Sequence, residues 1–284
     1  MKAYLRICFP VFLIFALRAA ALGDELKMNV RKAVPVADDQ TSPPKRVDVQ
    51  VAWDPAETAI IIVDMWDDHH CKSAAARVAE MAPAMNRAVK AARAKGVFVI
   101  HAPSDCMDFY EGTPQRQRAI DAPLAKARVA FKWNNFDPNH EGPLDPEVAE
   151  NGCSCDTKEP CNPSFKAWKR EIAAIEIAPA DAVSDKGPEI YNLLRQHQIE
   201  HVIVMGVHTN ICVLGRPFGI RQLVYQGEDV VLCRDLTDSY HRRQKGSHFD
   251  GLEAIIRHIE RYWCPTITSE SLTGDSPFQF AAAK

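Results

Sequence analysis

Val202-Ile203-Val204-Met205-Gly206-Val207-His208-Thr209-Asn210-Ile211-Cys212-Val213-Leu214 is the stretch from which the rest of the chain can be read. Its apolar opening predicts a short, fully buried parallel strand that stops at Gly206 in a tight polar turn. The turn delivers Cys212 to the start of a helix. There the partial positive charge and the unpaired N–H groups favour a thiolate, and the same N–H groups can hold an oxyanion. A buried structural cysteine is the plainer reading of such a residue. The turn chemistry instead points to a nucleophile.

A second apolar run, Ala59-Ile60-Ile61-Ile62-Val63, ends in Asp64. A carboxylate at the end of such a strand is costly unless it has a partner or a task. Four more short apolar runs predict strands at Val97–His101, Asp181–Ser184, Asp229–Cys233 and Thr266–Thr268. Between them, Met85, Ala88, Val89 and Ala92 repeat at helical spacing, with Pro83 suited to a first turn and Gly96 to the stop. Ile190, Leu193, Leu194 and His197 form a second such stripe, and Leu252, Ile255, Ile256 and Ile259 a third. The alternation predicts an α/β fold: a three-layer, doubly wound sheet of about six mainly parallel strands with helices on both faces.

Outside this pattern lie three segments. Residues 1–23 carry Lys2 and Arg6, an apolar stretch from Ile7 to Leu17, and small residues at Ala19 and Ala21, the layout of a cleaved signal peptide. An exported protein, periplasmic or secreted, is expected. Residues 24–50 are polar, with Pro35, Pro43 and Pro44, and predict an extended polar arm. Residues 51–284 then form one domain. Within it the region around 103–172, rich in proline and holding Cys153, Cys155 and Cys161, predicts an insert with one or two short helices over the carboxyl ends of the strands. A net charge of −3, with mixed signs and no basic stripe, excludes phosphate-backbone binding. A small-molecule substrate is expected, with no nucleic-acid partner and no membrane partner after signal cleavage. A homo-oligomer is the expected assembly.

The chain has nine cysteines, and Cys8 would leave with the signal. If Cys212 is a free thiol, seven remain, so at least one more must be free or pair between chains. For Cys153, Cys155 and Cys161, disulfides that staple a loop fit an exported protein better than zinc does. The Cys-x-Cys spacing is poor for a structural zinc site, and no histidine sits in the cluster.

Gly206 to Val213 matches the pattern Gly-Val-x-Thr-x-x-Cys-Val, and Thr58 to Asp67 matches a first strand ending in a catalytic aspartate. In these two matches the chain resembles the isochorismatase-like cysteine hydrolases, the superfamily of nicotinamidases, N-carbamoylsarcosine amidases and ureidoacrylate amidases. The resemblance runs from about Trp53 to Ser269. It implies hydrolysis of a non-peptide amide or related C–N bond through a Cys212 thioester, with Asp64 as proton acceptor. True isochorismatases cleave a vinyl ether and can lack the cysteine, so its presence favours an amidase.

The resemblance also implies a cis peptide at Val207–His208 and an oxyanion hole from the backbone N–H groups of His208 and Cys212. A catalytic lysine is expected at the end of the third strand. Lys186 has that position, although the aromatic segment that usually precedes the next helix is missing, and Lys132 is the fallback. No cofactor is required, but some relatives bind zinc or iron, for which Asp68, His70 and His101 are the candidate ligands. A polar loop explains the same residues. The rival functions are a catalytically silent binding module, a metal-dependent nicotinamidase-like enzyme, and a redox or metal-handling protein, the last weakened by the lack of any Cys-x-x-Cys.

Overall fold

The computed structural model describes residues 25–35, 44–144, 148, 151–153, 155, 161–242 and 247–281. The expected signal peptide lies outside the described residues. Among those described, no helix is long and apolar enough to cross a membrane.

The strands are β1 (Leu26–Val34), β2 (Lys45–Trp53), β3 (Thr58–Val63), β4 (Phe98–Ala102), β5 (Ala182–Val183), β6 (His201–Val207), β7 (Asp229–Asp238) and β8 (Thr266–Ile267). They form one sheet in the order β2-β1-β8-β7-β6-β3-β4-β5. The six strands from β3 onward are mutually parallel, as the alternating pattern predicts. β3 is buried along its whole length, because β-branched side chains on both faces meet a helical layer. Ala59, Ile61 and Val63 pack with Ile190, Leu193, Ile255 and Ile259 on one side. Ile60 and Ile62 pack with Val78, Met81, Met85 and Val89 on the other. Their helices are α1 (Lys72–Ala94), α2 (Pro114–Ile120), α3 (Gly187–Gln196), α4 (Ile220–Gln226), α5 (His248–Tyr262) and α6 (Glu270–Thr273).

Two expectations are corrected here. The polar arm expected at 24–50 is a β hairpin: β1 and β2 pair antiparallel from Leu26↔Trp53 to Val34↔Lys45, and β1 joins β8. Leu26, Met28 and Val30 alternate into the core, a period of two that marks a half-buried strand. Lys45, Arg46, Asp48 and Gln50 keep the outer strand polar, as suits a sheet edge. The first helix also begins at Lys72, so Pro83 lies inside it rather than in its first turn. The ring sits on the exposed face, and the apolar stripe of Ala74, Val78, Met81 and Met85 runs past it. Burial of that stripe outweighs one missing backbone hydrogen bond.

The insert after β4 carries a 3-10 turn (Met107–Tyr110) and α2, then irregular chain in its described stretches 121–144 and 161–181. It returns beside the end of β3, where Ile172 N donates to Met65 O and Asp67 N to Arg170 O. Buried Glu141 anchors its middle, accepting from Arg221, His258 and Trp263.

Candidate active site

β3 and β6 are neighbours, and the chain leaves them in opposite directions along the sheet, toward β4 and β5 and toward β7 and β8. In an open parallel sheet this switch point, at the carboxyl ends of the strands, forms a crevice. Asp64 and Cys212 both arise there. Gly206 stands opposite Val63 in the β6–β3 register and has φ +111°. A Cβ on it would lie 2.1 Å from Val63 O, so only glycine lets the two strand ends approach this closely. Asp64 follows with φ +48°, its N–H bonded to Ala102 O at 3.1 Å. On the other strand the Val207–His208 peptide is cis. A π-helical turn, Thr209–Val213, then presents Cys212.

Asp64 is wholly buried and Cys212 is 6% exposed. Asp64 Oδ1 accepts the Ser104 N–H at 2.7 Å. Oδ2 faces Arg216 Nε at 3.5 Å. Burial pushes the Asp64 carboxyl above its ordinary range, and the Arg216 charge, the Cys212 thiol and Ser104 pull it back. Burial likewise pushes the Cys212 thiol well up, the Asp64 charge adds to this, and Arg216 opposes it. Thiol, carboxylate and guanidinium therefore form one electrostatic unit, in which the first two compete for a proton beside a fixed positive charge.

Arg216 is held from three sides. Its Nη2 bonds Asp105 Oδ2 at 3.2 Å, its guanidinium carbon lies 5.2 Å from the centre of the Trp133 ring, and its Nε faces Asp64. It stands four residues after Cys212, its N–H bonded to Cys212 O at 3.0 Å, before Pro217 ends this turn of helix. That spacing puts the guanidinium on the face of the nucleophile. Ser104 also ties the site to an aromatic wall: its carbonyl accepts the indole N–H groups of Trp66 (3.0 Å) and Trp168 (3.3 Å), which stack 4.2 Å apart. His69 stacks on Trp168 and meets the buried His208 ring edge-on at 5.1 Å. Burial, followed by the charge of nearby His69, holds His208 at about 3, a neutral ring.

No family model matches the chain, and none of the curated proteins matches it. Solved structures do match. A cysteine hydrolase from Pseudomonas syringae pv. phaseolicola 1448A is 18% identical, with a TM-score of 0.46 over 78% of this chain and 94% of its own. An N-carbamoylsarcosine amidase from Thermoplasma acidophilum is 13% identical, with a TM-score of 0.40 over 75% and 97%. A pyrazinamidase from Pyrococcus horikoshii, in complex with zinc, is 15% identical, with a TM-score of 0.39 over 75% and 99%. At scores this low, the roles of individual residues rest on the geometry of this chain alone.

That geometry brings Cys212, Asp64 and His208 together but places Lys186 elsewhere. The Lys186 side chain is 60% exposed and pairs with Asp185 at 3.1 Å. The reason is the short connection into α3. Lys186 is the N-cap position of that helix, with its N–H bonded to Ser184 Oγ. Gly187 packs so tightly on Pro217 that a Cβ would lie 2.3 Å from Pro217 O. The cation acting on thiol and carboxylate is Arg216, the residue before Pro217. Lys132 is exposed, in a groove it shares with Trp133, Phe136 and Tyr225. Nothing in the apolar periodicity singles out Arg216; the signal for it was the i, i+4 spacing from Cys212.

The metal candidates do not converge either. Asp68 is bound by Lys72 at 2.7 Å, and His70 Nε2 meets Tyr240 Oη at 2.9 Å. His101 uses both ring nitrogens, on Glu171 at 2.7 Å and Asp181 at 3.1 Å, so neither is open to an ion. Burial alone would lower the pKa of this imidazole. The charge of Glu171 and the bonds to both carboxylates overcome that and hold it at about 9. Because the folded value exceeds the usual 6.5, the stabilisation is complete below about pH 6.5 and is lost as pH rises through about 9. Its upper bound is about 3 kcal/mol. Thermal denaturation between pH 6 and 9.5 should show Tm falling along this limb, and His101→Gln should flatten it. An equal slope in wild type and variant would show that His101 does not carry the effect.

Proposed function

We propose that the protein is a cysteine amidohydrolase of the isochorismatase-like type, acting on a small non-peptide amide or related C–N bond. The observation that carries this is the buried Cys212–Asp64–Arg216 group at the switch point of the sheet. Arg216 opposes the burial that pushes the Asp64 carboxyl upward and so favours the ionised form, in which Asp64 takes the Cys212 proton as sulfur attacks the carbonyl. The backbone N–H groups of His208 and Cys212 hold the tetrahedral oxyanion. Collapse breaks the C–N bond, and the amine leaves with the proton returned by Asp64, giving a Cys212 thioester. Water then attacks the thioester, Asp64 accepts its proton, and the acid departs as the thiol is reprotonated. A metal is not assigned a step, since the candidate ligands Asp68, His70 and His101 are engaged elsewhere.

The direct test is a panel of small amides assayed for amine or ammonia release, with intact-mass detection of the acyl-enzyme. A mass increase confined to the peptide that holds Cys212 supports the mechanism. A protein that binds amides but never acylates would instead be the silent binding module.

A further inference from the structure

We propose that Cys71, Cys153, Cys155 and Cys161 form a tetrathiolate zinc site that clamps the insert onto the start of α1. This goes beyond the hydrolase reading and does not depend on it. The sulfurs of Cys71, Cys153 and Cys155 all lie within 4.8 Å of one another. Cys155 Sγ is 3.6 Å from Cys71 Sγ and 3.6 Å from Cys161 Sγ. With Zn–S bonds of about 2.3 Å, the edges of a tetrahedral ZnS4 centre measure about 3.8 Å. A disulfide needs about 2.05 Å and joins sulfurs only in pairs, whereas Cys155 is centred between two partners at nearly equal range. None of the eight described cysteines is in a disulfide, unlike the loop staples expected from the sequence; three of the sulfurs are mutually close, and Cys161 adjoins them through Cys155.

Two of the sulfurs accept backbone N–H groups. Ser73 N–H donates to Cys155 Sγ at 3.3 Å and Cys155 N–H to Cys153 Sγ at 3.4 Å, the outer-shell pattern that steadies metal-bound thiolates. Cys71 is the N-cap residue of a 23-residue helix, whose positive end offsets part of the charge of four thiolates around Zn2+. Binding exchanges the thiol protons for the ion, with no change of oxidation state. Cys71 is buried, and the other three are partly buried.

The position explains what such a site would do. In its described stretches 121–144 and 161–181 the insert has no further helix, and a metal clamp supplies a cross-link between it and α1. The same region reaches the nucleophile turn: Asn151 Oδ1 accepts from Asn210 Nδ2 at 2.8 Å, and Asn210 also bonds Tyr240 through both ends of its amide. The site thus differs from the Asp68, His70 and His101 set in ligands and in role, holding cover over the active site rather than touching substrate.

The test uses the full chain, purified anaerobically without chelator. Metal analysis should find about one zinc per chain. After zinc removal under reducing conditions, Co2+ should bind with the thiolate-to-cobalt charge-transfer and d–d bands of a tetrahedral sulfur site. Cys153→Ser and Cys161→Ser should each weaken cobalt binding at least about 10-fold, while Cys212→Ser should leave it unchanged. Should a variant fail to fold, the wild-type cobalt spectrum and a denaturing thiol count decide. All eight thiols outside residues 1–23 should react once metal is chelated. Disulfides mapped among these four cysteines in the anaerobic protein, or cobalt uptake without the sulfur bands, would overturn the site.

Discussion

Cys212→Ser is expected to lose at least about 10^4-fold in turnover while keeping the wild-type fold. The exchange is nearly isosteric and the residue is 6% exposed, so the β6 turn has no cavity to close and no new bulk to accommodate. What changes is the nucleophile. A hydroxyl beside Asp64 is a far weaker acid than a thiol, and a single buried carboxylate cannot draw its proton. Asp64→Asn should be inactive for the complementary reason: the amide still accepts the Ser104 N–H at the Oδ1 position but cannot take the thiol proton. The two losses should not add, since each variant disables the same step. Activity of Cys212→Ser within a factor of ten of wild type would remove Cys212 from the mechanism, whatever the fold.

Arg216→Met should cost about 100-fold or more in kcat/KM, the scale of losing one preorganised electrostatic partner. Methionine retains much of the aliphatic stem and loses the guanidinium that lies over Trp133 and faces Asp64 at 3.5 Å. The pH profile gives the sharper signature. Arg216 lowers both the Asp64 carboxyl and the Cys212 thiol against the effect of burial. Without it both rise, so the acid limb of kcat/KM should move to higher pH, and iodoacetamide should alkylate Cys212 only at higher pH. A residue that merely supports the loop would change the rate and leave the limb in place. Lys186→Met is the matched control. With a side chain 60% exposed on Asp185, it should stay within about twofold of wild type. If Lys186→Met moved the limb and Arg216→Met did not, the assignment of the cation would reverse.

The amino-acid sequence alone determined the central architecture and the strand-end positions of Asp64 and Cys212, the proposed reacting pair. Buried runs such as Ile60-Ile61-Ile62 and Val202-Ile203-Val204 and the helical stripe of Leu252, Ile255, Ile256 and Ile259 are local patterns, written within one or two turns of chain. Asp64 and Cys212 were legible because each sits at a strand end, where the fold itself dictates the crevice. The alternation of Leu26, Met28 and Val30 was equally local and available, but the prolines nearby made the hairpin read as a linker. The partners of the pair were a different matter. Two oddities lie apart in sequence, the abrupt start of α3 at Gly187 and the helix break at Pro217. They became one feature only when those residues met, and the charge beside Asp64 is that of Arg216 while Lys186 pairs with Asp185. Cys71 and Cys155 are likewise 84 positions apart, and no periodicity links them. Contacts of that range are set by how the layers pack against the sheet, so tertiary structure alone decided which cation faces the thiol and which cysteines gather.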